Sequence, residues 1–219
     1  MVTPDEMTLD ELRVALAARI PAHAAFDGWS DAALASAAAD LGIPADRARL
    51  VFPDGAVGMI DAWFASVDAA MADALPTSVL AAMKIRDRIT ALIRARIETV
   101  APHREALRRA LAVLAMPSNL IAGTRLGWRA ADAMWRLAGD VSADFAWYTK
   151  RATLAAVYGA TLLVWIDDES ENEADTRAFL DRRIEDVMRF EKLKARLKPD
   201  RDRHFSPSRL LGRLRYPGR

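Results

Sequence analysis

The chain has 219 residues, 52% of them hydrophobic, with 31 basic side chains against 30 acidic. That is enough apolar surface for one sizeable core or two small ones, and it excludes disorder over the whole length. With only 10 Gly, 10 Pro and no Cys, the composition leans towards helix and away from a β-rich fold, and it excludes a disulfide framework, thiolate metal sites and cysteine nucleophiles.

Helix signals begin with Thr8-Leu-Asp-Glu11, a capping box ahead of Leu12, Leu16 and Ile20, which predicts a first helix over 9–20. Ser30 caps a second helix to about Leu41, Gly42 stops it, and Pro44 opens a short third helix ending near Val51. These three form a helix-turn-helix pattern. Asp54-Gly55 leads into a long apolar helix closed by Pro76. Further helices are predicted over roughly 79–100, 104–115, 120–138, 144–166 and 175–188, divided by Pro102, Pro117, Gly139 and the acidic run from Asp167. The whole chain therefore reads as all-α, with a head over 1–54, a helical body over 55–189 and a basic tail over 190–219.

Charge is unevenly spread: residues 1–75 carry 12 acids and 4 bases, whereas residues 190–219 carry 3 acids and 10 bases. The helix-turn-helix has the spacing of a DNA reader, but residues 28–60 hold Asp31, Asp40, Asp46 and Asp54 against Arg47 and Arg49. Phosphate contacts need a basic face, so specific nucleic-acid binding is not expected. In the tail, Phe190, Leu193, Leu197, Leu210, Leu211, Leu214 and Tyr216 alternate with Lys and Arg. This suits peripheral attachment to anionic headgroups and equally a solvated tail. The acidic start lacks the basic leader of an exported or organellar protein, and Ala152 to Ile166 is shorter than the ~20 residues of a spanning helix.

No constellation of residues points to catalysis or to a metal. His23, His103 and His204 stand far apart without ligand spacing. A calcium loop starting at Asp167 would need Gly at 172 and Glu at 178, where Asn and Ala stand, so Asp167, Asp168, Glu169, Glu171, Glu173 and Asp175 read as a solvated interhelical loop. No phosphate-cradling glycine motif occurs. The stretch Phe145 to Ile166 carries only Lys150 and Arg151 as charges and must be buried on more than one side. At its start stand Trp147, Tyr148 and Arg151, types that dominate binding hot spots. On chemistry alone a packed core, with Asp144 as N-cap, is the preferred reading of them.

The string Gly139-Asp-Val-Ser-Ala-Asp-Phe-Ala-Trp-Tyr-Thr-Lys-Arg-Ala-Thr-Leu-Ala-Ala-Val-Tyr158, with Trp29 to Leu41, Leu114-Ala-Met-Pro-Ser-Asn119 and Asp132-Ala-Met-Trp135, resembles the ubiquinone-biosynthesis lipid-binding accessory family. The resemblance covers about residues 8–190. It implies a TetR-like fold, a homodimer, no catalysis and no cofactor. An isoprenoid or phospholipid is the bound ligand, and a quinone precursor is presented to the demethoxyubiquinone hydroxylase. Carried over residue by residue, it places Met134, Asp144, Trp147, Tyr148 and Arg151 on the hydroxylase-facing patch, which reverses the core reading of Trp147 and Tyr148. The location implied is cytoplasmic, at the periphery of the inner membrane. A lipid cavity is expected among the soft side chains Met59, Trp63, Met116, Leu120, Trp128 and Leu162. The competing class is a TetR-type transcription regulator with an apolar effector.

Overall fold

In the computed structural model, residues 6–142 and 145–197 are described, with side chains to Phe190. Every regular element among them is helical: α1 (Leu9–Asp27), α2 (Asp31–Asp40), α3 (Ala45–Val51), α4 (Gly55–Ala74), α5 (Thr77–Ala81), α6 (Ile85–Val100), α7 (Arg104–Leu114), α8 (Leu120–Leu137), α9 (Phe145–Ile166) and α10 (Ala174–Leu197), with three short 3-10 turns between them. The basic tail beyond residue 197 lies outside the described residues.

Local signals behave as read at the head. The Thr8 amide donates to the Glu11 carboxylate at 2.7 Å and the Glu11 amide donates to Thr8 Oγ1 at 3.3 Å, completing the capping box. Ser30 caps α2 through the Ala33 amide. Three boundaries differ from expectation, and one is α10, which runs on to Leu197 where the expected helix ended at 188 and the tail began at 190. Helix α1 continues through Pro21 to Asp27 because Ala24, 0% exposed, belongs to the core, and the chain turns only at Gly28, whose φ of +69° suits glycine. The predicted helix over 79–100 is broken between Ala81 and Ile85. There the Arg88 guanidinium donates to the carbonyls of Ala81, Met83 and Ala138, replacing the lost intrahelical bonds and tying the break to the end of α8.

One hydrophobic cluster runs through head and body, from Leu12, Leu16 and Ile20 of α1 through Ile60 and Met71 of α4 to Trp165 of α9. Trp29 and Trp63 stack within it at 5.2 Å, and Trp29 Nε1 donates to the Ala106 carbonyl at 2.9 Å. A chain of ion pairs crosses the same region. Arg13 of α1 and Arg129 of α8 share Asp61 of α4, and Arg129 and the buried Arg96 of α6 share Asp68. The acidic run after α9 is not uniformly solvated. Asp168 is buried and accepts from the Ser170 and Thr176 amides, each at 2.8 Å, which fixes the start of α10. Hydrogen bonds from Ser170 and Thr176 outweigh burial and hold its carboxyl well below the usual range.

Candidate functional site

The α8–α9 corner carries the aromatic string. Helix α8 ends at Leu137, and Gly139 turns the chain at φ +88°; a Cβ there would also crowd Arg88 Nη1 at 3.3 Å. Asp140 follows, almost fully enclosed. Its carboxylate accepts from Ser142 Oγ at 2.8 Å, Lys150 Nζ at 2.6 Å and Arg151 Nη1 at 3.0 Å. Burial pushes this carboxyl up, but the hydrogen bonds from Lys150, Ser142 and Arg151 prevail and keep it well below the ordinary carboxylate range. Arg151 Nε also donates to Asp132 of α8 at 2.6 Å, so the guanidinium bridges α8, the corner and α9.

On that buried base stand the aromatic rings. The Arg151 guanidinium carbon lies 4.1 Å from the Trp147 ring centre, a cation–π contact within the protein. Trp147 meets Trp128 of α8 at 5.5 Å and Tyr148 edge-on at 4.8 Å. Trp128 and Trp147 are half-buried, while Tyr148 is 59% exposed. A second strut lies behind: Trp135 Nε1 donates to the Lys150 carbonyl at 3.0 Å.

The five residues expected on a partner face therefore separate by depth. Trp147 and Tyr148 have surface to offer. Met134 is 0% and Arg151 2% exposed, and Arg151 meets the carboxylates of its own chain, Asp132 and Asp140, instead of one across an interface. Any part Arg151 plays is played against the Trp147 ring, and any part Met134 plays is played from the core. Asp144 lies outside the described residues.

The six expected lipid contacts scatter. Met59, Trp63 and Leu162 are buried in the core. Leu120 and Trp128 share a shallow, open depression on α8 with Ile121, and Met116 is an exposed residue just before that helix. An apolar cleft of about 130 Å³ lies elsewhere, between α6, α8, α9 and α10, lined by Ile85, Ile89, Trp135, Leu154, Val157 and Ile184 among others. Its signal in the sequence is three separate amphipathic stripes, Ile85/Ile89, Leu154/Val157 and Ile184/Val187/Met188, which converge only in the folded chain.

Residues 120–191, which include this corner and much of the cleft, match the COQ9 family model. Over 175 residues the chain is 32% identical to the human ubiquinone biosynthesis protein COQ9, mitochondrial, covering 77% of this chain and 54% of that one. The rat protein of the same name is 33% identical over 175 residues, covering 77% and 55%. The chain spans about half the length of the curated relatives it matches. Among solved structures, a TetR transcriptional regulator from Nitrosomonas europaea ATCC 19718 superposes with a TM-score of 0.65 at 26% identity, over 80% of this chain and 97% of that one. The fold is all-α and TetR-like, and the family resemblance carried by the 139–158 string holds.

Proposed function

We propose, from the match of residues 120–191 to the COQ9 family, that the chain serves ubiquinone biosynthesis as a non-enzymatic, lipid-binding accessory factor. In this reading it presents an isoprenoid quinone precursor to the demethoxyubiquinone hydroxylase. The observation that carries the reading is the Trp128–Trp147–Tyr148 cluster, which lies inside the matched region with two half-buried rings and an exposed Tyr148, and is seated on a buried ion network. Rigid aromatic area held from below is what a protein-binding hot spot requires. The α6–α10 cleft supplies apolar wall for part of a lipid chain. At about 130 Å³ it is smaller than the ~300–1,000 Å³ of a typical ligand pocket, so it takes a segment and leaves the rest accessible to a partner. No single described helix is long and apolar enough to cross a membrane, and membrane contact is assigned to the basic tail.

Two measurements test this. Organic extraction of the purified protein followed by mass spectrometry is expected to yield isoprenoid lipid, and immobilised protein is expected to retain the hydroxylase. Retention of neither refutes the reading.

The TetR-type regulator remains as the second reading because the Nitrosomonas structure is one. Its discriminating assay is promoter binding: nanomolar, sequence-selective affinity at physiological salt would establish it. The acidic head argues against it, and Arg47 is engaged with the Met7 carbonyl.

A further inference from the structure

Head and body meet through two kinds of contact. The apolar one is the buried cluster around Trp29 and Trp63, and burial of that kind is strong but has no preferred angle. The polar one converges on Asp61 of α4. Asp61 Oδ2 accepts from Arg13 Nη2 of α1 at 3.1 Å and Asp61 Oδ1 from Arg129 Nη1 of α8 at 2.5 Å, so one carboxylate joins a head cation to a body cation.

Both cations are held by further acceptors. Arg13 also donates to the Val51 and Gly58 carbonyls, each at 3.2 Å, on either side of the α3–α4 turn, and its guanidinium carbon lies 5.2 Å from the Phe52 ring centre. Arg129 also donates to the Asp61 carbonyl at 3.0 Å, and its Nε faces Asp68 at 3.2 Å, a carboxylate that the buried Arg96 of α6 shares. Neither guanidinium can follow a rotation of the head about α4 without giving up bonds on its other side. Charge-assisted hydrogen bonds between fixed partners are directional, so what they add to the apolar contact is an angle.

We propose that Asp61 is an orientation lock. Apolar burial holds the head on the body, and Arg13–Asp61–Arg129 sets the angle at which it sits, so that the two move as one. A switching element needs two arrangements of its interface; this carboxylate selects one of them. The helix-turn-helix head is then a fixed buttress of the body instead of a module that answers to it, whichever ligand or partner the body takes.

The test measures the angle apart from the stability. The chain has no Cys, so Ala32→Cys on α2 and Ala156→Cys on α9, both exposed, take spin labels at defined points of head and body. Double electron–electron resonance is run on the full chain, diluted with unlabelled protein so that only distances within one chain count. The labelled parent is expected to give one narrow distance distribution. Asp61→Asn, equal in size but uncharged, is expected to widen it about twofold or to split it. Its melting temperature is expected to fall by only about 2–4 °C, as for a partly exposed ion pair. Arg13→Gln is expected to act in the same way from the head side. Leu180→Ala, at a position 1% exposed on α10, is the control: it is expected to lower melting further and leave the distribution narrow.

A distribution as narrow in Asp61→Asn and Arg13→Gln as in the parent overturns the lock and makes the apolar cluster alone responsible for the angle. Equal widening by Leu180→Ala overturns it too, since any loss of stability would then loosen the head. A broad distribution in the parent shows an angle that is not fixed and has the same consequence.

Discussion

Two aromatic clusters of similar composition have opposite fates in this fold. Trp29, Trp63 and Phe64 stack where α4 meets the head, with both tryptophans buried and Trp29 donating to a backbone carbonyl. Trp128, Trp147 and Tyr148 stack at the α8–α9 corner with their outer faces open. What lies beneath differs. The first cluster is enclosed in the hydrophobic core, with ion pairs alongside on α4; the second sits directly against a charged network, Asp132–Arg151–Asp140, through the Arg151 guanidinium under Trp147. A surface aromatic thus reports on the polar groups under it as much as on its own hydrophobicity.

The comparison breaks first at the inner cluster. Trp63→Ala removes a fully buried ring and is expected to cost about 4 kcal/mol, lowering the melting temperature by roughly 10 °C in a chain of this size. Circular dichroism melting checks this. A drop of only a degree or two would mean the head is not welded to the body through these rings.

The prop under the outer cluster comes next. Arg151→Met leaves Asp132 and Asp140 facing each other's surroundings without their shared cation, and removing one member of a buried pair typically costs ~3–5 kcal/mol. Lys150, Ser142 and Arg136 remain to soften the loss, so about 3 kcal/mol is expected. Tryptophan emission should shift red as Trp147 loses its seat. Unchanged emission would show that the ring is positioned by Trp128 and not by the guanidinium.

These props explain what the sequence disclosed and what it did not. Thr8, Ser30 and Gly42 act on groups within a few residues, and the helices they bound were legible. Pro21 marked a false end because burial of Ala24 outweighs the local signal, and the break after Ala81 was invisible because one of the groups that satisfy it, the Arg88 guanidinium, comes from beyond it. At the site, Trp147 and Tyr148 were legible through the resemblance. Arg151 was legible as a residue but not in its role, since its acceptors lie 19 and 11 positions away. The cleft escaped because its wall is assembled from stripes on separate helices, whereas the soft side chains Met59, Trp63 and Leu162 lie in the buried core.

Acid sharpens the comparison further, because the outer cluster stands on a carboxylate that the fold depresses. The Asp140 carboxyl is depressed in the folded chain from an ordinary value of 3.8. Its contribution is therefore complete above that value and lost as pH falls below it towards the folded value. Asp140→Asn is expected to cost about 2 kcal/mol at pH 7, the worth of charged hydrogen bonds, and to flatten the loss of stability below pH 4. Asp168, shifted the same way, keeps a residual slope in the variant. Parallel denaturation curves for both proteins from pH 7 to pH 2 would remove Asp140 from the acid response.

The smallest structural effect belongs to the outermost ring. Tyr148 contributes an edge-on contact to Trp147, worth ~0.5–1.5 kcal/mol, so Tyr148→Ala is expected to move the melting temperature by only about 2–3 °C. If the proposed partner face is right, the same change costs about 2 kcal/mol of hydroxylase affinity, roughly thirtyfold. Trp147→Ala shares the binding loss but melts lower, because its ring is half-buried and covers Arg151. The pair of variants separates recognition from packing: binding follows the exposed surface removed, whereas melting follows the buried surface removed. Normal hydroxylase binding by folded Tyr148→Ala and Trp147→Ala, measured at low temperature, would leave the outer cluster a structural corner like the inner one, differing only in what it rests on.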